Sequence, residues 1–374
     1  MNVLHLVHNL EVAGAQTVVS HLANHASAGT TAVVCAWKRG GPIENELLSA
    51  GVPTYVHKPS RLWTVLSFLD AIVKKHKIDV IHGHMSDGAF WGGLLSRQTN
   101  LPLVLTYHSN RLISVKLGRG SLRGRLRFWM LKSGARRARI NIACGDTVKE
   151  RVLEELDVPD SKVEVVRNGV PLVCQADADE AASERRERSA NATGVRVVTV
   201  GRLDTIKGQH QLIEAAPQIL GRYPESEFTF VGDGPRLEEH RALATRLGVE
   251  GSMRFVGLQR DVAHYLQQAD VYAATSEYEG LPLSVVEAMG WLLPVVATDV
   301  VGNRDLVKDE VTGLLYPFGD ADKLASGLMR SFEDQQLMER TTREARKLVT
   351  EQFSVERMAR EYAVLYERAC NEAR

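Results

Sequence analysis

Short, almost uninterrupted apolar runs alternate along this chain with segments whose apolar positions recur every three or four residues. Val3–Val7 predicts a buried strand, Gln16–Ala28 a helix and Val33–Ala36 a second strand. Leu62, Val65, Leu66, Leu69, Ile72 and Val73 make a helical stripe, and Asp79–His82, Leu103–Thr106 and Asn141–Cys144 predict further strands with helices between them. Strands apolar on both faces, separated by amphipathic helices, belong to a parallel sheet covered on both sides. The pattern breaks at Asn168-Gly169-Val170-Pro171. Gln175–Gly194, polar, charged and rich in small residues, reads as a linker or surface excursion. The alternation then restarts with strands Val195–Val200, Phe228–Val231, Met253–Val256, Val271–Thr275 and Pro294–Thr298, and helices Gln209–Leu220 and Arg236–Leu247. From Val355, the positions Val355, Met358, Ala359, Tyr362, Leu365, Tyr366 and Ala369 share one stripe, which predicts a docked terminal helix. The expected fold class is α/β, as two doubly wound parallel-sheet domains, 1–170 and 171–354.

Length agrees with two domains, since 374 residues exceed the roughly 250–300 at which single cores stop growing. Lys plus Arg and Asp plus Glu both total 46, so no whole-molecule attraction to nucleic acid is expected. No apolar run is long enough for a membrane-spanning helix. The N-terminus lacks a cationic stretch and is not expected to be a signal peptide. Four cysteines (Cys35, Cys144, Cys174, Cys370) lie far apart, without the spacing of a zinc knuckle or a disulfide framework. A soluble cytoplasmic enzyme is the expectation.

Several motifs are missing: no G-x-G-x-x-G after the first strand, no Walker A loop and no H-E-x-x-H. Two Asp-Ala-Asp triplets, Asp177–Asp179 and Asp320–Asp322, can in principle bind a metal–diphosphate. The first falls in the polar stretch and the second opens a helix, where Asp is an ordinary cap. The second half is more informative. Gly201-Arg202 ends a strand and Lys207-Gly208 precedes a helix, so the two cations can straddle a diphosphate, or simply flank a turn in solvent. Gly232-Asp233-Gly234-Pro235 is explained by turn chemistry without any ligand. In Ser276-Glu277-Tyr278-Glu279-Gly280-Leu281-Pro282-Leu283-Ser284-Val285-Val286-Glu287, a loop runs from a strand end into a helix whose N-terminus suits a diphosphate. Glu287 can accept from ribose hydroxyls and Glu279 from a sugar. The competing structural reading is a capping box, Ser284-x-x-Glu287.

Gly201-Arg202 with Lys207-Gly208, Gly232-Asp233-Gly234-Pro235, Glu279 with Glu287, and Pro294-Val295-Val296-Ala297-Thr298-Asp299 together resemble the retaining glycosyltransferases of family 4, which have the GT-B fold. Asn168-Gly169-Val170 and Thr312-Gly313-Leu314-Leu315 extend the likeness over almost the whole chain. The resemblance implies two Rossmann-like domains facing across a cleft: an acceptor-side domain 1–170, onto which helix 355–374 returns, and a donor domain 171–354. It implies catalytic roles for Arg202 and Lys207 at the donor diphosphate, Glu279 near the donor sugar and His108 facing the transferred sugar. Donor binding would fall to Gly14, Gly201, Gly234, Glu287 and the Leu281-Pro282-Leu283 helix entry. The chain departs from the family pattern at Ala13-Gly14-Ala15-Gln16, at Val301-Gly302 and at Leu292, where the family has glycine. His82 and His84 read as satisfied core or loop histidines.

The function implied is retaining transfer of a sugar from a nucleotide-diphosphate sugar, UDP preferred, to a glycan or lipid-linked acceptor of a cell-surface polysaccharide. No metal or other cofactor is expected, because Arg202, Lys207 and a helix N-terminus can stabilise the leaving diphosphate. From Arg111 to Arg139 there are ten Lys/Arg and no Asp/Glu. Arg119, Arg123, Arg127, Lys132 and Arg136 are the candidate patch for an anionic membrane or acceptor, beside Leu122, Leu126 and Trp129. Partners are then a donor, a glycan or lipid-linked acceptor and the inner face of the cytoplasmic membrane, without nucleic acid. Two rivals stay open: a nucleotide-sugar epimerase or phosphorylase on the same fold, and a non-catalytic module that binds glycan or scaffolds a complex.

Overall fold

Among the described residues thirteen short strands form two sheets, and every strand pairing is parallel. The computed structural model describes residues 1–57, 64–108, 122–190, 192–259 and 261–371. These divide into two compact units, Met1–Val170 with the segment from Ser354 onward, and Pro171–Phe353.

In the first unit the strands are β1 (Asn2–Asn9), β2 (Thr31–Arg39), β3 (Thr54–Val56), β4 (Val80–His84), β5 (Leu103–Tyr107), β6 (Ile140–Ala143) and β7 (Val163–Val165), in the spatial order β3-β2-β1-β4-β5-β6-β7. The inner strands are buried on both faces: all five residues of β4 and all five of β5 are covered. The chain therefore has to place helices on each side. Leu4, Leu6, Ile81, Leu103 and Leu105 fill one layer with Val65, Leu69 and Leu95 from the covering helices. Helix Val355–Asn371 buries its whole predicted stripe, from Val355 through Tyr362 and Tyr366 to Ala369, within this same unit.

The second unit carries β8 (Arg196–Val200), β9 (Glu227–Val231), β10 (Met253–Gly257), β11 (Val271–Ala274), β12 (Val295–Thr298) and β13 (Leu314–Tyr316), in the order β10-β9-β8-β11-β12-β13. In each sheet the order reverses once, between β1 and β4 and between β8 and β11. Such reversals leave a crevice at the carboxyl ends of the strands, the usual ligand site of open α/β sheets.

One segment differs from the sequence reading. Gln175–Gly194 is no linker: Gln175–Ser189 is a helix. Its buried face consists of Ala178, Ala181 and Arg185, two methyl groups and a guanidinium, so no apolar period betrays it. Arg185 is 1% exposed and donates Nε to the Ala269 carbonyl and Nη1 to the Leu292 carbonyl, both at 2.9 Å. Leu292 stands at φ 50°, in the left-handed region where the family pattern has glycine. The Arg185 bond anchors that turn from outside. No helix among the described residues is long and apolar enough to cross a membrane.

Candidate functional site

The carboxyl ends of β8 and β11 bring most of the second-unit candidates together. Gly201 follows β8, and Arg202 and Lys207 lie on the loop between β8 and helix His210–Arg222. Glu279 lies on the loop after β11 and Glu287 in helix Leu283–Gly290. Thr275 Oγ1 donates to the Lys207 carbonyl at 2.8 Å, Glu277 N to the Ile206 carbonyl at 2.8 Å, and Gln211 Nε2 to the Thr275 carbonyl at 2.8 Å, so the two loops are zipped to each other. Gly208 makes this possible: it sits at φ 61°, and a Cβ there would lie 2.3 Å from the Thr275 carbonyl oxygen. A Cβ on Gly234 would meet the Leu203 carbonyl oxygen at 2.2 Å. Gly234 therefore lets its turn pack on the Arg202 loop and presents no open face of its own.

Charge is already organised in this cluster. Lys207 Nζ lies 2.5 Å from Glu279 Oε1, which also accepts from Ser276 Oγ at 2.5 Å. Arg202 is largely exposed and turned onto Asp204, with Nε and Nη2 2.9 and 2.8 Å from Asp204 Oδ2. Asp204 Oδ1 also accepts from Lys207 N at 3.0 Å. Asp204 and Ser276 were missed by the sequence reading. Asp204 was visible two residues past Arg202, whereas the pairing of Ser276 with Glu279 depends on the loop's turn. The capping-box reading of Ser284 is overturned. Helix Leu283–Gly290 starts at Pro282 without a side-chain cap, and Ser284 Oγ instead accepts from Tyr272 OH at 2.8 Å. The first-turn amides of this helix, at the Leu281-Pro282-Leu283 entry, thus have no side chain to answer them.

Glu287 is the outlier. Its side chain is half-buried, burial alone pushes its carboxyl up to about 7, and no hydrogen bond or ion pair from the described residues compensates it. Both Glu279 and Glu287 act electrostatically on the buried Tyr272, which places the two acids around one side chain. A desolvated carboxylate without a donor is unfavourable in a protein that has nothing to give it. Two larger cavities of this unit, of about 430 and 450 Å³, lie away from these strand ends, the first between helices Gln175–Ser189 and Gln335–Gln352.

In the first unit Gly14 opens helix Gly14–Asn24 after β1, with no heavy atom within 4 Å of where a Cβ would stand. His108 follows β5, partly exposed, with His84 Nδ1 3.0 Å from its Nε2. His84 Nε2 in turn lies 3.1 Å from His5 Nδ1. His82 uses Nδ1 toward Tyr366 OH and Nε2 toward Thr106 Oγ1, both at 2.7 Å. His5, His82 and His84 bring ring nitrogens within 4.8 Å, a metal-like spacing. Yet His82 and His84 have both nitrogens in hydrogen bonds and His5 commits its Nδ1, which is the order of a hydrogen-bonded core.

The cationic patch is only partly free. Helix Leu122–Arg137 carries Arg127, Lys132 and Arg136, but Asp157 lies 3.6 Å from Lys132 and pairs with Arg136 as well. The segment is one-signed in sequence and not in space. Leu126 and Trp129 are 58% and 64% exposed on this helix. Arg119 lies outside the described residues, and Arg123 is placed only as a backbone position on the helix.

Residues 12–173 match the model of Glycosyltransferase Family 4, and residues 180–348 match Glycosyl transferases group 1. The UDP-Gal:alpha-D-GlcNAc-diphosphoundecaprenol alpha-1,3-galactosyltransferase of Escherichia coli is 28% identical over 312 residues, 80% of this chain and 80% of its own. The phosphatidyl-myo-inositol mannosyltransferase of Mycolicibacterium smegmatis is 32% identical over 263 residues, 69% of this chain and 63% of its own. The crystal structure of Anabaena HepE in complex with UDP has a TM-score of 0.81 at 22% identity, covering 98% of this chain and 100% of that one, a likeness of fold. Two family models that together run from residue 12 to residue 348, over two parallel sheets with the GT-B strand order, establish that the chain belongs to the family 4 glycosyltransferases.

Proposed function

We propose that this glycosyltransferase takes a sugar from a UDP-sugar and transfers it, with retention of configuration, to a lipid-linked or glycan acceptor in cell-surface polysaccharide synthesis. The observation that carries the donor site is Glu287, a desolvated carboxylate without a donor among the described residues, beside the end of a doubly wound sheet. A ribose supplies two hydroxyl donors of the kind that position calls for. Lys207 and Arg202 then meet the diphosphate. For that, Lys207 exchanges Glu279, and Arg202 exchanges Asp204, for phosphate oxygens, and the freed Glu279 carboxylate accepts from the sugar. The uncapped helix entry adds the backbone N–H groups of Leu281 and Leu283, which flank Pro282, as donors while negative charge builds on the leaving phosphate. These groups make transfer independent of a metal ion in this reading. On the family resemblance, Gly14 is assigned to the diphosphate and His108 to the transferred sugar.

The acceptor reading draws on the E. coli and M. smegmatis relatives, which are named for a GlcNAc-diphosphoundecaprenol and a phosphatidyl-myo-inositol. Exposed Leu126 and Trp129 beside Arg127 suit peripheral contact with an anionic membrane. A thermal-shift panel of UDP, GDP, ADP and their sugar conjugates, run with EDTA, tests the donor. A ligand at about 100 times its Kd adds about 2.7 kcal/mol. Stabilisation by uridine compounds alone, lost in Glu287→Ala, is the expected result. No shift from any nucleotide overturns the reading and favours the scaffold module. Product analysis with and without acceptor separates transfer from epimerisation or phosphorolysis. Flotation with vesicles containing anionic lipid, lost in Trp129→Ser, tests the membrane contact.

A further inference from the structure

Three imidazoles form one row that runs from mid-sheet to the carboxyl edge of the first sheet: His5 within β1, His84 ending β4 and His108 after β5. The links His5 Nδ1 to His84 Nε2 and His84 Nδ1 to His108 Nε2 are 3.1 and 3.0 Å, and neighbouring rings stack at 18° and 19°. His5 and His84 are each 2% exposed. Burial holds His5 and His108 down at about 4 and His84 well below the usual imidazole range, so all three rings are neutral.

A neutral imidazole owns one N–H and one bare nitrogen. His84 is bonded through both, so it donates through one and accepts through the other, and the two links must point the same way. The end of the row decides which way. His108 Nδ1 and Asn168 Oδ1 are both buried without a conventional partner, and Asn168 favours the protonated form of His108, as an accepting oxygen does. Were His108 to donate at Nε2, its bare Nδ1 would confront that oxygen, acceptor against acceptor. In the other direction His5 Nδ1–H donates to His84, His84 Nδ1–H donates to His108, and His108 Nδ1–H faces Asn168.

We propose that His84 is a positioning residue that sets the tautomer of His108. It holds the proton on His108 Nδ1, so that His108 meets the transferred sugar as a hydrogen-bond donor and not as a base. The site thereby selects a sugar oxygen able to accept, with Asn168 holding the donor until that oxygen takes or shares it. The sugar's place beside His108 rests on the function proposed above; the tautomer does not.

The test is a two-bond ¹H–¹⁵N correlation spectrum of the full chain labelled with ¹⁵N-histidine, with His108→Gln to assign its signals. The expected result is the Nδ1–H pattern for His108; an Nε2–H pattern overturns the proposal. In His84→Leu, His108 should lose its Nδ1–H preference, and kcat on UDP-sugars should fall about 100-fold. Donor KM and the UDP thermal shift should stay close to wild type. His84→Asn, whose amide N–H replaces Nδ1–H, should recover at least tenfold. A His84→Leu protein that only melts earlier, with His108 tautomer and kcat unchanged, makes His84 structural and sinks the idea. Tyr366→Phe, which removes a bond of His82 in the same cluster, should lower Tm without moving the tautomer. If the wild type neither binds uridine nucleotides nor turns over any UDP-sugar, the function falls while the wild-type spectrum still decides the row. Should His84→Leu fail to fold, that spectrum and His84→Asn decide it.

Discussion

The two sheets reverse their strand order at equivalent places and fill the resulting crevices in opposite ways. Between β1 and β4 the first unit puts neutral histidines that bond to one another, to Thr106 and to tyrosines of helix Val355–Asn371. Between β8 and β11 the second unit puts a carboxylate shared between a cation and a serine, and a second carboxylate with no donor among the described residues. Topology supplies the place in both. Whether the place is satisfied or waiting is decided by the side chains at three or four strand ends. A satisfied cluster stabilises its own unit, whereas an unsatisfied one is suited to a ligand, and mutation separates the two.

The largest effect is expected from Lys207→Ala. It removes the cation from the phosphate position and leaves Glu279 held only by Ser276. Loss of one preorganised charge partner costs about 10²–10³ in kcat, read in steady-state turnover of the UDP-sugar found by the nucleotide panel, with Tm nearly unchanged. Turnover within threefold of wild type would mean that the diphosphate lies elsewhere. The contrasting change in the first unit is His82→Leu. It strands the buried Tyr366 hydroxyl, leaves Thr106 only its bond to Tyr362, and should cost about 2 kcal/mol of stability, while the UDP-dependent thermal shift persists. Loss of that shift without loss of stability would dissolve the distinction between the two crevices.

Arg185→Leu probes the part of the second unit that sequence reading missed. The variant leaves the Ala269 and Leu292 carbonyls without a donor, at a cost of about 2 kcal/mol in chemical denaturation. Stability equal to wild type would show that the left-handed turn at Leu292 holds unaided.

These residues also mark what a linear sequence can tell. Strands such as β5, β11 and β12 were legible because they are buried on both faces and so are almost wholly apolar. Helix Gln175–Ser189 was not, because the groups it buries are alanines and an arginine, and a guanidinium bonded to carbonyls looks in sequence like any surface charge. At the site, Arg202, Lys207, Glu279 and Glu287 announced themselves by motif. Their restraints did not: Tyr272 and Ser284 fasten the helix entry by a side-chain bond that imitates no local pattern, and the capping-box spacing pointed elsewhere. The histidine row was least legible of all. Its members come from β1, β4 and the residue after β5, 79 and 24 residues apart in sequence, and only the parallel register aligns His5 with His82 and His84 with Thr106.

The smallest expected effect concerns pH, and its sign is fixed by the comparison. The Glu287 carboxyl titrates near 7 in the folded protein against an ordinary value of 4.5. Below 4.5 both folded and unfolded chains are protonated there and the group contributes no difference. Between 4.5 and 7 the unfolded chain releases the proton first, so stability falls as pH rises, and above 7 the loss is complete. Complete burial would make this about 3 kcal/mol, and the partial exposure of the side chain reduces it to about 1 kcal/mol. Glu287→Gln should remove that slope and leave a protein slightly more stable than wild type above pH 7, as measured by Tm across pH 4 to about 8. A uridine ligand reverses the sign: its hydroxyls favour the carboxylate, so wild-type affinity should strengthen as pH rises through about 7, while the affinity of Glu287→Gln stays weak and flat. An identical pH slope of Tm in both proteins would place the titrating carboxyl elsewhere and return Glu287 to an ordinary half-buried helix position.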